Sequence, residues 1–256
     1  MKKHIMDWTV CCNDKLDERH ILLKLKPANG IMPAMKPGQF VQVKSPAPND
    51  TFLRLPISIN NVDNDQLWLM IQTIGEGTKA LAFLRKGDNI NLVLPLGNGF
   101  STDKATGKIL LVGGGVGVAP LLWTGKILAD NGTSPTFLLG GRNADGILLK
   151  DKFQQIGRTF VTTEDGSLGE KGFVTQHSLL KDETFDYIMT CGPKLMMMAV
   201  ARYATQTHTE CEVSLENMMA CGIGACLCCV EKTVRGNVCV CKEGPIFNIK
   251  QLTWQI

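Results

Sequence analysis

Between residue 4 and about residue 98 the apolar positions fall into short runs of strand length: Trp8 to Cys12, Ile21 to Leu25, Phe40 to Val43, Ile57 to Asn60, Leu67 to Thr73 and Ile90 to Leu94. Pro27, Gly30, Pro33, Pro37 and Gly38 punctuate the early part, a pattern that predicts an antiparallel β-barrel or sandwich. One stretch has a helical period instead. Thr78 to Lys86 places Ala80, Leu81 and Leu84 on one face, with Thr78 as a cap and Gly87 as a stop. Gly75-Glu-Gly77-Thr78 therefore stands where a helix begins, and free amides at such an end suit a pyrophosphate, although turn chemistry alone also explains the glycines.

Beyond the polar linker Ser101 to Gly107 the pattern changes. Lys108 to Gly113 is a continuous apolar run of the kind a buried parallel strand uses, and Gly113-Gly-Gly-Val-Gly117-Val-Ala-Pro120 follows at once. Pro120 opens a helix that ends at Asn131-Gly132. Strand, glycine turn and helix in that order are the setting of a phosphate cradle, although Gly113-x-Gly115-x-Gly117 is not the Gly-x-Gly-x-x-Gly spacing. Strands at Thr136 to Leu139, Thr159 to Thr163, Tyr187 to Thr190 and Glu212 to Leu215 then alternate with helices near Leu149 to Ile156 and over Pro193 to Ala204, which predicts a doubly wound parallel sheet. Thr190-Cys191-Gly192-Pro193 falls at a strand's end, where such sheets carry their ligand chemistry, and Met196 to Met198 reads as helix packing.

The last segment is neither pattern. Cys221, Cys226 and Cys229 repeat the Cys-x4-Cys-x2-Cys spacing of plant-type 2Fe-2S proteins, with Gly222 and Gly224 to bend the loop. Cys239 and Cys241 compete for the fourth ligand; Cys241 is preferred because the turn Gly244-Pro245 follows it. Cys228 breaks the spacing. A zinc site is the rival reading, but zinc usually pairs two short Cys knuckles.

Composition narrows the function. At 256 residues the chain exceeds one typical domain, and a net charge of +3 from dispersed residues gives no reason to expect nucleic acid or a membrane surface as partner. Asp7, Asn13 and Asp14 interrupt any signal-length apolar run, and ten cysteines suit a reducing compartment, so the expected location is the cytoplasm. The histidines His4, His20, His177 and His208 are expected in polar or terminal settings away from carboxylate motifs.

Taken in order, Pro56-Ile-Ser58-Ile, Gly75-Glu-Gly-Thr78, Gly113 to Pro120, Cys191-Gly-Pro193 and Ser214-Leu-Glu-Asn-Met-Met-Ala-Cys-Gly-Ile-Gly-Ala-Cys226 resemble one family over almost the whole chain. It is the electron-transfer subunit of the class B dihydroorotate dehydrogenases, within the ferredoxin reductase superfamily. The resemblance implies an α+β multidomain chain: an FAD-binding antiparallel β-barrel over 1–100, an NAD-binding α/β domain over 101–210 and a 2Fe-2S module over 211–256. It implies that Leu55, Pro56, Ile57, Ser58, Ile71, Gln72, Gly77 and Thr78 hold FAD, with the Ser58 and Thr78 hydroxyls on its phosphates. Gly113, Gly114, Gly115, Val116, Gly117 and Pro120 would hold NAD, and Cys191 would act beside the nicotinamide and flavin rings. Cys221, Cys226, Cys229 and Cys241 would ligate the cluster. The implied partner is an FMN-containing catalytic subunit, two of each chain, which oxidises dihydroorotate in pyrimidine biosynthesis while electrons pass through the cluster and FAD to NAD.

The family's flavin motif places an Arg three residues before the Ser. Here that position is Leu55, with Arg54 one earlier. Related chains serve hydrogenases, sulfide dehydrogenases and ferredoxin:NADP transhydrogenases, and a zinc-stapled nucleotide-binding module is the reading from another class.

Overall fold

The computed structural model describes residues 2–47 and 52–254. Contacts divide the chain into two compact units. The first is the chain up to Gly99 with Glu216–Glu231 and Asn237–Pro245; the second is Phe100–Leu215 with Lys232–Gly236 and the residues from Ile246 onward.

In the first unit β1 (His4–Lys15), β2 (His20–Pro27), β3 (Phe40–Val43), β4 (Leu55–Asp63), β5 (Gln66–Gln72) and β6 (Asn89–Leu96) close into a barrel in the order β1-β2-β5-β4-β3-β6. Every pairing is antiparallel, and closure removes the exposed edges an open sheet would present. Alternation along the strands fills the interior: Ile90, Leu92 and Leu94 of β6 are buried while Asn89, Asn91 and Val93 between them are not. Trp8, Leu23, Leu25, Val41, Ile59 and Leu69 complete this core, all fully buried.

The helix expected over 78–86 is shorter and starts earlier, as α1 (Glu76–Leu81). Gly75 is the N-cap, and the Thr78 hydroxyl, three residues on, accepts the N–H groups of Ile74 (3.0 Å) and Gly75 (3.1 Å) and donates to the Gly75 carbonyl (3.0 Å). Thr78 thus closes the turn from inside the helix. The early stop has a long-range cause. The Asn13 side-chain amide, from β1, donates to the carbonyls of Leu81 (3.0 Å) and Leu84 (2.9 Å), satisfying groups that another helical turn would have used.

The second unit is a seven-stranded sheet. Its strands are β7 (Ile109–Gly114), β8 (Thr136–Gly141), β9 (Arg158–Thr163), β10 (Glu170–Lys171), β11 (Tyr187–Cys191), β12 (Glu210–Ser214) and, after a hairpin of β13 (Val230–Thr233) and β14 (Gly236–Cys239), β15 (Ile246–Asn248). The order is β10-β9-β8-β7-β11-β12-β15, parallel except for β15, which returns antiparallel beside β12. The intervening helices are α2 (Ala119–Asp130), α3 (Lys150–Gln154), α4 (Leu179–Asp182) and α5 (Lys194–Gln206), while α6 (Val240–Glu243), between β14 and β15, belongs to the first unit. Every residue of β7 is buried, as its unbroken apolar run requires of a central parallel strand. α2 lies close against the sheet because Gly125 has no side chain; a Cβ there would stand 2.3 Å from the Phe137 ring. None of these helices is long and apolar enough to cross a membrane, among the described residues.

Candidate functional site

From Glu216 to Cys229 the backbone forms no helix or strand, so local bonds set its shape. Gly222 and Gly224 take the left-handed conformation, with φ of 67° and 86°, and Leu227 joins them at 59°. These bends turn backbone N–H groups toward sulfur. Cys221 Sγ accepts the amides of Ile223 (3.4 Å), Ala225 (3.3 Å) and Cys226 (3.4 Å), and Cys226 Sγ accepts that of Cys221 (3.5 Å). Seventeen positions from Gly224, Cys241 Sγ accepts the Gly224 amide at 3.1 Å, and the Cys241 amide reaches Cys229 Sγ at 3.4 Å. The Asn98 amide, donating to the Gly244 carbonyl (2.6 Å), holds the segment after Cys241 to the end of β6.

Burial opposes ionisation of Cys221, but the amides of Ile223 and Cys226 outweigh it and bring the thiol down to about 6. Cys241 goes the other way, pushed up to about 12 by burial and by the neighbouring Cys229 thiol. Opposite shifts among crowded thiols are what like charges dictate: once one ionises, its neighbours hold their protons until a metal supplies positive charge. Among the described residues no three His, Cys, Asp or Glu side chains converge on a single-ion position. Cys221 lies within hydrogen-bond reach of Cys226, and Cys229 within reach of both Cys241 and Cys239.

Of the remaining cysteines in this stretch, Cys228 is exposed, and Cys239 is half-buried with its thiol 3.9 Å from the Gly224 carbonyl, to which it donates. Burial, then Cys229, push the Cys239 thiol up. Its sulfur accepts no backbone amide among the described hydrogen bonds.

The second unit collects its own set. β7 and β11 are neighbours, with Gly113 opposite Cys191, while the chain leaving β7 passes through α2 to β8 on the other side. The strand order therefore reverses at the C-terminal ends of β7 and β11, where open α/β sheets leave a ligand crevice. Gly113 and Gly114 end β7, Gly115 to Val118 form a single 3-10 turn containing Val116 and Gly117, and Pro120 stands in the first turn of α2. A Cβ on Gly117 would lie 2.4 Å from the Gly192 Cα, and one on Gly114 would lie 2.6 Å from Met196 Sδ, so these glycines let the two turns touch. Gly115 differs: at φ +55° it has nothing within 4 Å of a Cβ, and its outer side is open. Cys191 is wholly buried at the end of β11.

In the barrel, Leu55, Pro56, Ile57 and Ser58 lie on β4 opposite β3, with Pro56 exposed and the others half-buried. Ile71 and Gln72 end β5; Ile71 is buried in the core and Gln72 half-buried. Gly77 is buried in α1 and Thr78 is engaged as described. Arg54 is spent within the wall, donating to the Asn91 carbonyl (3.0 Å) and to its side-chain oxygen (2.6 Å), while burial lowers its pKa.

Two histidines depart from expectation. His20 and His177 are buried and each meets a carboxylate, Asp17 at 2.8 Å and Glu170 at 3.5 Å. Both carboxylates stay partly exposed, at 25% and 43% of their side-chain surface. Sequence reading also passed over Gln42, a polar residue at an interior position of β3, which is 1% exposed and lies under the Gly222 bend.

Residues 216–253 match the family described as the iron–sulfur cluster binding domain of dihydroorotate dehydrogenase B, and residues 111–202 match the oxidoreductase NAD-binding domain. The dihydroorotate dehydrogenase B (NAD(+)) electron transfer subunit of Lysinibacillus sphaericus is 41% identical over 221 residues, 83% of this chain and 85% of that protein. Its counterpart in Bacillus velezensis is 37% identical over 251 residues, 95% of this chain and 97% of that protein. Among solved structures, an NADH-dependent reduced ferredoxin-NADP oxidoreductase chain superposes with a TM-score of 0.86 at 28% identity, covering 96% of this chain and 90% of that one. An Amycolatopsis cytochrome P450 reductase shares the fold, with a TM-score of 0.69 at 21% identity over 80% of this chain and 66% of that one. The chain is an oxidoreductase subunit whose cofactors are FAD, a 2Fe-2S cluster and NAD. By sequence over most of its length, it belongs to the electron transfer subunits of dihydroorotate dehydrogenase B.

Proposed function

We propose that this chain takes electrons from the FMN of a catalytic partner and delivers them through its 2Fe-2S cluster and FAD to NAD, while the partner oxidises dihydroorotate to orotate. The observation that carries the reading is the cysteine loop in which Cys221, Cys226, Cys229 and Cys241 each accept at least one backbone N–H, while the Cys239 thiol donates to a carbonyl. Those four residues would hold the cluster. When bound, the cluster passes single electrons, the flavin holds one or two, and NAD takes a pair as hydride. The polypeptide supplies position: amides neutralise thiolate charge, β4 with the ends of β5 and α1 carries FAD, and the glycine turn after β7 carries the pyrophosphate of NAD, with Cys191 at the nicotinamide end. Two copies of each chain, working in the cytoplasm, make the assembly.

For FAD the assigned residues are Leu55, Pro56, Ile57, Ser58, Ile71, Gln72, Gly77 and Thr78. Thr78 acts chiefly by holding its own turn, since its hydroxyl is filled by Ile74 and Gly75. Thr78→Val should therefore weaken FAD binding by about 0.5–1.5 kcal/mol, the net worth of solvent-exposed hydrogen bonds that hold the turn, read as the apparent Kd of flavin-stripped protein. Leu55→Arg should tighten it, because it restores a guanidinium where Arg54 is committed to Asn91.

The catalytic partner docks on Met218 to Cys229, where Met218 (84% exposed), Ile223 (47%) and Leu227 (65%) stand out around a half-buried Met219. Leu227→Asp is the cleaner probe, because Asp tolerates the left-handed backbone that Leu227 already occupies. It should weaken assembly roughly ten-fold or more, about 1.4 kcal/mol, while NADH-to-dye activity stays unchanged. An equal loss of dye reduction would contradict the docking surface.

Anaerobic purification with an absorption spectrum, iron and sulfide analysis and flavin extraction tests the cofactors, and adding the catalytic subunit should restore NAD-linked dihydroorotate oxidation. Oxidation of dihydroorotate by this chain alone would overturn the division of labour. The ferredoxin-NADP oxidoreductase likeness at a TM-score of 0.86 favours a second reading, service to a ferredoxin-linked partner. Reactivation by such a partner, and not by the dihydroorotate subunit, would select it.

A further inference from the structure

Gln42 is the polar residue of β3 that packs where an apolar one would be expected. Its backbone is fixed on both sides, opposite Pro56 of β4 and Val93 of β6, and its side chain is 1% exposed. Neither Oε1 nor Nε2 has a hydrogen-bond partner among the described residues. Folded proteins pair nearly all such buried groups, because an amide left dry and unmatched is costly. Its neighbour is defined: a Cβ built on Gly222 would fall 2.9 Å from Gln42 Nε2 and 2.8 Å from its Cγ, with Leu96 Cδ1 at 3.1 Å. Gly222 follows Cys221 and carries no side chain, so the amide and the cysteine loop come together with nothing between them.

We propose that the Gln42 side-chain amide is a positioning residue for the iron–sulfur cluster, donating from Nε2 to a sulfur on the Gly222 side of the bound cluster. The proposal rests on the cluster reading above and extends it to a barrel residue outside the cysteine segment. Sulfur on a cluster is an acceptor, and the protein groups present there are donors: the amides of Ile223, Ala225 and Cys226 already converge on Cys221. A further donor stabilises the more negative, reduced cluster and so raises its midpoint potential. It also ties the cluster loop to a strand of the barrel within the same unit.

The test compares Gln42→Met, of similar length but without the amide, and Gln42→Leu, which also lacks any donor, with the unaltered full-length protein. Both variants should retain iron, FAD and the visible spectrum of a 2Fe-2S protein. Their midpoint potential should shift to lower values, and a chelator should strip their iron roughly ten-fold faster. Thermal unfolding after iron removal gives a readout of opposite sign. Without the cluster the amide is an uncompensated buried group, so Gln42→Met should raise the Tm of the stripped chain. Unchanged potential and iron release in both variants would overturn the proposal, as would a lowered Tm of stripped Gln42→Met, since the amide would then be paired within the polypeptide. Absence of iron from the unaltered protein would overturn the cluster reading itself.

Discussion

Serine at Cys221 should leave a protein that keeps its flavin but loses most of its iron and the cluster's share of the visible absorption. Three backbone amides point at Cys221 Sγ, more than reach any other sulfur in the loop, and they hold its thiol down to about 6. At neutral pH the residue is therefore in its thiolate form, the form that binds metal, before any iron arrives. A serine hydroxyl ionises far above that range and offers a shorter, harder donor to an iron that prefers sulfur. Cys226→Ser and Cys229→Ser should behave alike, and so should Cys241→Ser, whose buried sulfur receives the Gly224 amide at 3.1 Å. Among the described residues no backbone amide reaches the Cys228 thiol, and the Cys239 thiol donates to a carbonyl and receives none, so Cys228→Ser and Cys239→Ser should both stay brown. If Cys239→Ser bleaches the protein while Cys241→Ser leaves it brown, the fourth ligand has been misassigned.

The cluster loop was legible from sequence because its determinants are local. Cys221, Cys226 and Cys229 carry the spacing, and Gly222 and Gly224 the bends that turn backbone amides toward sulfur, all within nine positions. The sheet of the second unit was legible for a related reason: parallel strands buried on both faces write themselves as unbroken apolar runs such as Ile109 to Val112. What escaped depends on distant partners. The period of Thr78 to Lys86 is helical throughout, yet the helix stops at Leu81 because Asn13, 68 positions before Leu81, takes its carbonyl. The three residues of β15 carry too little pattern to announce a strand, and their place beside β12 is decided by pairing with Glu212 to Ser214. His177 reads as a polar-segment residue, but it packs edge-on against Phe160, with ring centroids 5.6 Å apart, and burial lowers its pKa. Arg54 is the same lesson in the flavin region. Sequence shows it displaced by one position from the family's motif, and only the Asn91 contacts show what it does instead.

Gly115→Val should abolish most NADH binding while sparing both other cofactors, and the neighbouring glycine supplies its control. At φ +55° a valine suffers backbone strain of about 1–2 kcal/mol, but its side chain would meet no protein atom within 4 Å of its Cβ. The fold should therefore survive, with a Tm lower by roughly 2–4 °C for each kcal/mol of strain. The new side chain would project from the turn after β7 into the crevice between β7 and β11, where a pyrophosphate must approach the backbone closely. An affinity loss of about 100-fold or more is expected, since both the approach and its hydrogen bonds are removed, about 2.7 kcal/mol. Gly117→Ala has the opposite character. Its Cβ would lie 2.4 Å from the Gly192 Cα, a contact with backbone that no rotamer relieves, so the turns after β7 and β11 must separate and the whole second unit should lose stability. Titration of NADH against each variant, with flavin and iron content measured on the same samples, separates the two. Selective loss of NADH binding in Gly115→Val, beside a broad loss of stability in Gly117→Ala, identifies the first glycine as ligand-facing and the second as structural. Equal loss of FAD and NADH in Gly115→Val would instead make the entire turn a packing device and remove the nucleotide from it.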